Sequence, residues 1–592
     1  MQALSEKSLT RILYVFFSLG FLLCSALMLF VTFSEQEQVV LLAQWQIGPF
    51  FEIPISFFCD KMSLFFATLI FLIAWLITHF SSSYLHKDQG FHRFFLVFFC
   101  FIIAVLIVIL TASFPIFLVA WKAVSLCSVL LISFYHERAQ PVVNAFYALV
   151  HYVICNMFFL MAALILAHEN YFEMNLWTSN TLPNSPAGTL AIFLLILGTL
   201  TKSAQFPFCT WLAKAMEGPT SSSAALYGGI SIHLGAFCLL RLSPFFEESL
   251  YLQGFIIGTG LLTVLYGRLV GSTRVDIKTQ LAYASMTQVG LIYIEIGLGW
   301  YSLALLHIVG HMLTRTLQFL QSPSILSAFH EIAHLKDNRS PWGEQIYGKN
   351  FTTKLYMLSL NSFFIPQWLQ RGALTLRISF QKIVWLNFSL PGLGLFWLAL
   401  KYFNLSLTFF TLQSIVIVLA LLSFIWIWVS CSERSTQHIV SCWLKAQAAL
   451  IIASAFALEA LIDKTLLLAG LKQFSLNFLS SGLVILALEI TRERRTGISE
   501  LPHQFGAGLA KDLPWLASFT FVSALSFSCF PPSLGYWGLE LTLHVLRDLS
   551  LPASVLFGIT MILQLISFFR FYSALFWGKS SYSFKGLDLI QT

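Results

Sequence analysis

Charge is what this chain has least of. Asp, Glu, Lys and Arg make up 10% of its residues, against about 25% in a soluble domain. The ten cysteines are scattered and form no Cys-x-x-Cys pair, which removes the usual frame of an iron–sulfur cluster or zinc ribbon. No glycine-rich loop follows a strand pattern and no Walker-type sequence occurs, so no ATPase or dehydrogenase is legible. No cofactor and no metal site is therefore expected. A net charge of +7 over 592 residues is ordinary for basic cytoplasmic loops and gives no sign of nucleic-acid binding.

What remains is apolar: 57% hydrophobic residues and a mean hydropathy of +0.79. Residues 12–34, 94–121, 139–168, 402–432 and 549–569 contain no charged side chain, and each is long enough for a spanning helix of about 20 residues. The sequence predicts an all-α polytopic membrane bundle of roughly 13 to 15 spans, including discontinuous helices. Residues 11–33 read as a retained first helix, too long for the apolar core of a signal peptide. Loop charges alternate, with Lys7 and Arg11, then Glu35 and Glu37, then Lys87 and Arg93. That alternation places the N-terminus in the cytoplasm, in what is expected to be a bacterial inner membrane. Three parts follow: a helical block over 1–320, a polar cytoplasmic or interfacial connector over 321–382, and C-terminal spans over 383–592. An amphipathic helix is expected around 355–380. Arg492-Glu493-Arg494-Arg495 reads as a cytoplasmic turn before last spans at about 514–540 and 549–575.

Lys202 sits where a charge is expensive. Apolar sequence precedes it, and Lys202-Ser203-Ala204-Gln205-Phe206-Pro207-Phe208 follows, in which Pro207 removes a backbone donor. Gly218 and Pro219 break the chain again after a short helix at 209–217. A lysine near a helix end can simply reach for the interface. Beside a doubly broken helix, however, it is better read as lining a hydrated path and exchanging protons.

His307, His311 and Arg315 recur at i, i+4 and i+8 and share a helix face. They suit a proton relay through water, or separate hydrogen bonds to neighbouring helices. Metal binding is disfavoured by Arg315. Lys278 alone reads as an anchoring lysine in a cytoplasmic turn. Glu295, Glu459 and Glu540 are acids inside apolar runs: protonated, paired or proton-carrying. Lys122, deep in an apolar stretch, is neutral or paired with a carboxylate that the sequence does not identify.

Taken together these stretches resemble the antiporter-like membrane subunits of respiratory NADH:quinone oxidoreductase, especially the L subunit (mitochondrial chain 5), and the large Mrp sodium/proton antiporter subunit. The resemblance rests on Thr201–Pro207 with Trp211-Leu212, Met216-Glu217-Gly218-Pro219-Thr220, Asp276-Ile277-Lys278 with Leu281-Ala282-Tyr283, and Gln288-Val289-Gly290. His307 through Arg315, Asp60-Lys61-Met62-Ser63-Leu64 and Trp121 to Ser128 add to it. It covers about residues 55–325, returns around 514–543 with Phe530-Pro531-Pro532, and does not extend to 330–505. It implies two five-helix units with discontinuous helices, Lys202 in a paired lysine site, and Lys278, His307 and His311 on a central proton axis. The implied partners are other membrane or cytoplasmic subunits of a complex.

The departures are specific. Lys122 stands where the family has a glutamate, so the usual carboxylate–lysine pair cannot form. Arg315 and Leu539 replace customary lysines, with Glu540 adjacent to the latter. Tyr227 replaces a histidine, with His233 six residues on. The implied function is proton translocation, with sodium as the alternative ion. A specialised relative serving inorganic-carbon uptake beside a zinc-containing soluble protein is the second reading, and a non-transporting scaffold the third.

Overall fold

The computed structural model describes residues 5–34, 38–46, 52–168, 185–322, 349–365, 367, 409–460, 465–496, 500–501, 507–530 and 533–578. Helices α1 (Glu6–Ser34), α2 (Lys61–Tyr84), α3 (Phe91–Leu110), α4 (Phe114–Ile132), α5 (Ala139–His168) and α6 (Pro186–Lys202) come first. Short segments α7 (Thr210–Lys214), α8 (Thr220–Ser223), a π-helical turn at Ala224–Gly229, α9 (His233–Arg241) and α10 (Ser243–Phe246) follow. Then come α11 (Leu250–Gly271), α12 (Ile277–Gly297), α13 (Tyr301–Leu320) and α14 (Lys349–Leu360). The C-terminal part holds α15 (Phe409–Ser430), α16 (Thr436–Ala460), α17 (Thr465–Thr496), α18 (Leu509–Asp512), α19 (Pro514–Phe527), α20 (Leu534–Leu549) and α21 (Leu551–Phe576).

Among the described residues, twelve helical stretches are long and apolar enough to cross a membrane, and α6 and α19 are shorter apolar helices. The expected polytopic all-α bundle is therefore the observed architecture. Its outward faces carry large apolar side chains, such as Leu19, Leu22 and Leu23 on α1 and Leu303 and Leu306 on α13, as lipid contact requires.

One exception to the helical pattern was not foreseen. Strands β1 (Gln38–Gln46) and β2 (Glu52–Cys59) pair antiparallel, with Gln38 opposite Cys59 and Gln46 opposite Glu52. The amide of Ala112 donates to the Ser56 carbonyl at 3.0 Å and holds β2 over the turn between α3 and α4. Just beyond β2, Asp60 caps α2 by accepting from the Ser63 and Met62 amides. The same carboxylate meets Arg241 at 2.5 Å, joining α2 to the end of α9.

The expected break after Lys202 has a defined cause. The amide of Gln205 donates to Leu200 O at 2.8 Å, and that of Ala204 to Thr201 O at 3.3 Å. Ala204 between them is left-handed, with φ of 51°. This is a Schellman ending, and it makes Lys202 the last helical residue of α6. The α19 helix ends the same way: Phe530 donates to Leu525 O, Cys529 to Ser526 O, and Cys529 has φ of 51°. The position matching Lys202 is Phe527. The span expected over 514–540 is thus split into α19 and α20.

Two other expectations change. Residues 492–495 form no turn, because α17 continues to Thr496 and buries Arg492 against Glu489 at 2.6 Å. Of the amphipathic helix expected around 355–380, the described part ends at Leu360, followed by a short 3-10 turn, Ser362–Phe364. Most of the connector and the Glu459 side chain lie outside the described residues.

Candidate functional site: a buried lysine beside a histidine run

Lys202 is fully buried at the C-terminal end of α6, where the partial negative charge of the helix end favours a cation. Its Nζ lies 4.1 Å from the ring centre of Tyr152 and 5.7 Å from that of Trp121. Such cation–π contacts stabilise an ammonium away from water. No hydrogen-bond partner for Nζ is found among the described residues. Trp121 Nε1 donates to Cys155 Sγ at 3.2 Å, and that thiol donates to Gly198 O at 3.1 Å, fixing the wall of the cage.

The adjacent residue leads to the histidines. Ser203 Oγ donates to Ile232 O at 2.6 Å, tying the end of α6 to the start of α9. This approach needs Gly235, since a Cβ there would lie 2.2 Å from Ser203 Oγ and 2.5 Å from Thr199 O. His233 opens α9, and its Nε2 lies 2.8 Å from His311 Nδ1 on α13. The π-helical turn permits the meeting: a Cβ on Gly229 would sit 2.5 Å from Thr316 Oγ1 of α13.

Hydrogen-bond partners fix the proton positions. His233 Nδ1 lies 2.9 Å from Gly229 O, and a carbonyl only accepts, so Nδ1 carries the proton. In the neutral ring Nε2 is then an acceptor, and His311 Nδ1–H donates to it. His311 Nε2 is buried with no hydrogen-bond partner among the described residues, which leaves a base at the outer end of the pair.

His307, one turn earlier, bridges two residues of α12. Its Nδ1 is 2.9 Å from Glu295 Oε1 and its Nε2 is 2.9 Å from Gln288 Oε1. With the Gln288 oxygen facing the ring, both nitrogens donate, and the ring is an imidazolium opposite a carboxylate. A half-turn of the amide presents its NH₂ instead and suits a neutral ring. Glu295 is thus the partner of His307, a pairing that sequence spacing left open.

The other predicted residues are placed as follows. Arg315, half-buried, donates to Gln318 Oε1 at 2.7 Å, so the three groups on the α13 stripe have three different partners. Lys278 lies in the first turn of α12, about 15 Å along that helix from Gln288 at 1.5 Å per residue. The fold does not bring it into the histidine run. Tyr227 lies in the π-helical turn, its ring 6.0 Å from that of Trp211. Pro207 follows a cis peptide bond, and Gly218 packs against Leu131 O, which leaves no room for a Cβ. Pro219 precedes α8.

Lys122 points away from Lys202. Its Nζ is 4.7 Å from the ring centre of Tyr536 on α20, and it lines a cavity of about 80 Å³ with Glu540 of the same helix. Leu539 is buried in that wall. Three residues that sequence reading passed over also belong near the site. Tyr147 OH is 2.8 Å from Thr210 Oγ1, which is 3.5 Å from Nε2 of buried His151, the neighbour of Tyr152. Outside the spans, Glu217 accepts from Asn144 Nδ2 at 2.9 Å, and burial raises its carboxyl pKa above the ordinary value. A histidine inside the charge-free run 139–168 was the available signal for His151.

The family pattern described as NADH:quinone oxidoreductase/Mrp antiporter, TM matches residues 111–343. That described as NADH-ubiquinone oxidoreductase (complex I), chain 5 N-terminus matches residues 45–95. The chain is 32% identical over 311 residues to NADH-ubiquinone oxidoreductase chain 5 of Elephas maximus, covering 52% of this chain and 50% of that one. It is 30% identical over 367 residues to the chloroplastic NAD(P)H-quinone oxidoreductase subunit 5 of Nuphar advena, covering 58% and 48%. The chain thus spans about half the length of the curated relatives it matches. Among solved structures, the Mrp complex from Dietzia sp. aligns at a TM-score of 0.44 and 15% identity, covering 97% of this chain and 76% of that one. The membrane-bound sulfane sulfur reductase, an archaeal respiratory membrane complex, aligns at 0.46 and 18%, covering 52% and 64%. Over residues 45–95 and 111–343 the chain is similar to the antiporter-like membrane subunits of NADH:quinone oxidoreductase and Mrp antiporters.

Proposed function

We propose that this chain is a proton-translocating subunit of a membrane complex, with His307, His311, His233 and Lys202 as its relay. The observation that carries this reading is the buried His311–His233 hydrogen bond beside an ammonium with no hydrogen-bond partner. A proton reaching His311 Nε2 makes that ring an imidazolium. Its Nδ1 proton then passes to His233 Nε2, while His233 Nδ1–H stays on Gly229 O. Charge on His233 repels charge on Lys202, so loading one favours release from the other. Nitrogen bases carry protons well but do not make the oxygen cage that a hard cation prefers, which favours protons over sodium. Lys278, in the first turn of α12, is assigned to proton access.

The relatives are named as chains of quinone oxidoreductases, so the partners proposed are other subunits of such a complex. The orientation of Lys122 toward Glu540 favours, as a second reading, a specialised relative serving inorganic-carbon uptake with a zinc-containing soluble partner. Identifying the chains that co-purify from the native membrane separates the two.

The relay itself is tested by reconstituting the purified complex and following proton uptake with a pH-sensitive dye. Lys202→Ala is expected to lower the rate by about tenfold or more. An unchanged rate would leave a non-transporting scaffold as the reading.

A further inference from the structure

The cavity between Lys122 and Glu540 lies outside the relay, yet a single wall separates it from Lys202. Trp121 faces Lys202 and Lys122 is the next residue. Cys155 bonds Trp121, and Asn156, the next residue, lines the cavity. On the far side α20 contributes Tyr536, Glu540 and Arg547. Tyr536 lies under the Lys122 ammonium and hydrogen-bonds Glu540 one turn on. Lys122 and Glu540 attract each other electrostatically, but among the described residues no direct ion pair joins them, and Glu540 Oε2 is buried without a partner. A volume of about 80 Å³ admits bridging water, which needs about 10–15 Å³ of such space.

The two groups come from different parts of the chain. α6 and α19 end in the same Schellman turn, but the second carries Phe527 where the first carries Lys202. The C-terminal broken helix therefore has no ion at its break, and the ionisable group appears instead on the next helix, as Glu540. Two turns further along α20, Arg547 also lines the cavity and meets the half-exposed carboxylate of Asp548 at 3.0 Å. That sequence of groups runs from the wall of the Lys202 cage to the surface.

We propose that Lys122 and Glu540 form a second proton-exchange pair, linking the N-terminal block to the C-terminal helices and opening toward Arg547 and Asp548. In the exchange a proton leaves Lys122 Nζ, directly or through a cavity water, and binds a Glu540 carboxylate oxygen. An ammonium and a carboxylate become an amine and a carboxylic acid, and charge is conserved. Tyr536 and Arg547 from α20, Cys529 from the α19–α20 turn and Asn156 from α5 face the pair. A fixed structural ion pair would be bonded directly, whereas these two groups line a shared cavity with no direct bond among the described residues. The proposal rests on the relay reading above and adds a second site to it.

The test uses inside-out vesicles of native membrane carrying the full complex, with dye-followed proton flux and infrared difference spectra of the carboxylic C=O band. Glu540→Gln is expected to lower flux by about tenfold and to remove one protonated-carboxyl band, and Lys122→Gln to shift that band. The exchange Lys122→Glu with Glu540→Lys should recover part of the flux lost by either single change. Tyr536→Phe, which keeps the ring, should shift the same band even if a charge variant fails to assemble. Glu540→Gln with flux within about twofold of wild type and an unchanged band, in vesicles where Lys202→Ala still lowers flux by about tenfold or more, overturns this proposal alone. Unchanged flux in Lys202→Ala overturns the relay and this pair with it.

Discussion

His311 Nδ1 donates to His233 Nε2 across 2.8 Å, between helices that start far apart in the chain. Because Gly229 O claims the other nitrogen of His233, the proton order along the pair is fixed. Nitrogen-15 spectra of histidine-labelled protein should show His233 protonated on Nδ1 in its neutral form. His233→Gln should remove that signal and slow proton uptake by about tenfold or more. A neutral His233 protonated on Nε2 would contradict this order.

Gly235 is where α9 comes closest to α6. Gly235→Ala would push a methyl into Ser203 Oγ and Thr199 O, overpacking that costs about 1–3 kcal/mol. Gly254→Ala and Gly258→Ala add a methyl to open space. Thermal unfolding followed by tryptophan fluorescence should show a clear loss for the first and little change for the other two.

The Asp60–Arg241 pair is nearly buried, with 7% and 11% of the side chains exposed. Asp60→Asn keeps an α2 cap but leaves a buried guanidinium without its counter-charge, a loss of about 3–5 kcal/mol for such a pair. The unfolding temperature should fall by more than for His86→Gln. His86 meets Glu6 at the surface, where such pairs contribute about 1 kcal/mol or less.

Thr210 joins Tyr147 to His151 through hydroxyl contacts. His151 Nδ1 faces the Tyr147 carbonyl at 3.0 Å, so Nε2 of the neutral ring is the acceptor that faces Thr210. Thr210→Val keeps the shape and removes the hydroxyl. Proton uptake should fall by about tenfold if this is an access route to the Lys202 region. Thr189→Val, at an exposed hydroxyl near the start of α6, should leave it unchanged.

Glu295 and Gln288 hold the two nitrogens of His307. Glu295→Gln removes the carboxylate opposite the ring, and Gln288→Leu removes the amide that can accept or donate. Each should slow proton uptake, with the two effects less than additive because they act on one ring. Full additivity would place Gln288 outside the relay.

Much of this was legible in the sequence because it follows from local rules. Scarce charge and long apolar runs require a membrane bundle, since every unpaired backbone group in lipid is costly. The sequence around Pro207 required a break, and the i, i+4 spacing of His307 and His311 required a shared helix side. The family resemblance also followed from short contiguous motifs.

Partner choice across helices was not legible. Helix periodicity says which side chains share a face, but not which neighbour that face meets. His311 finds His233 because Gly229 lets α13 approach the π-helical turn and Gly235 lets α9 approach α6. Lys122 has no visible partner in its own stretch of sequence, and Glu540 comes to it only when α20 packs beside α4 and α5. The β1–β2 hairpin was missed because it lies in a connection between two membrane helices. Composition and spacing thus determined the membrane, the broken helices and the positions of the buried cations. Packing between distant helices decided which base, acid or ring each of them faces, because those contacts depend on backbone approach that no local pattern encodes.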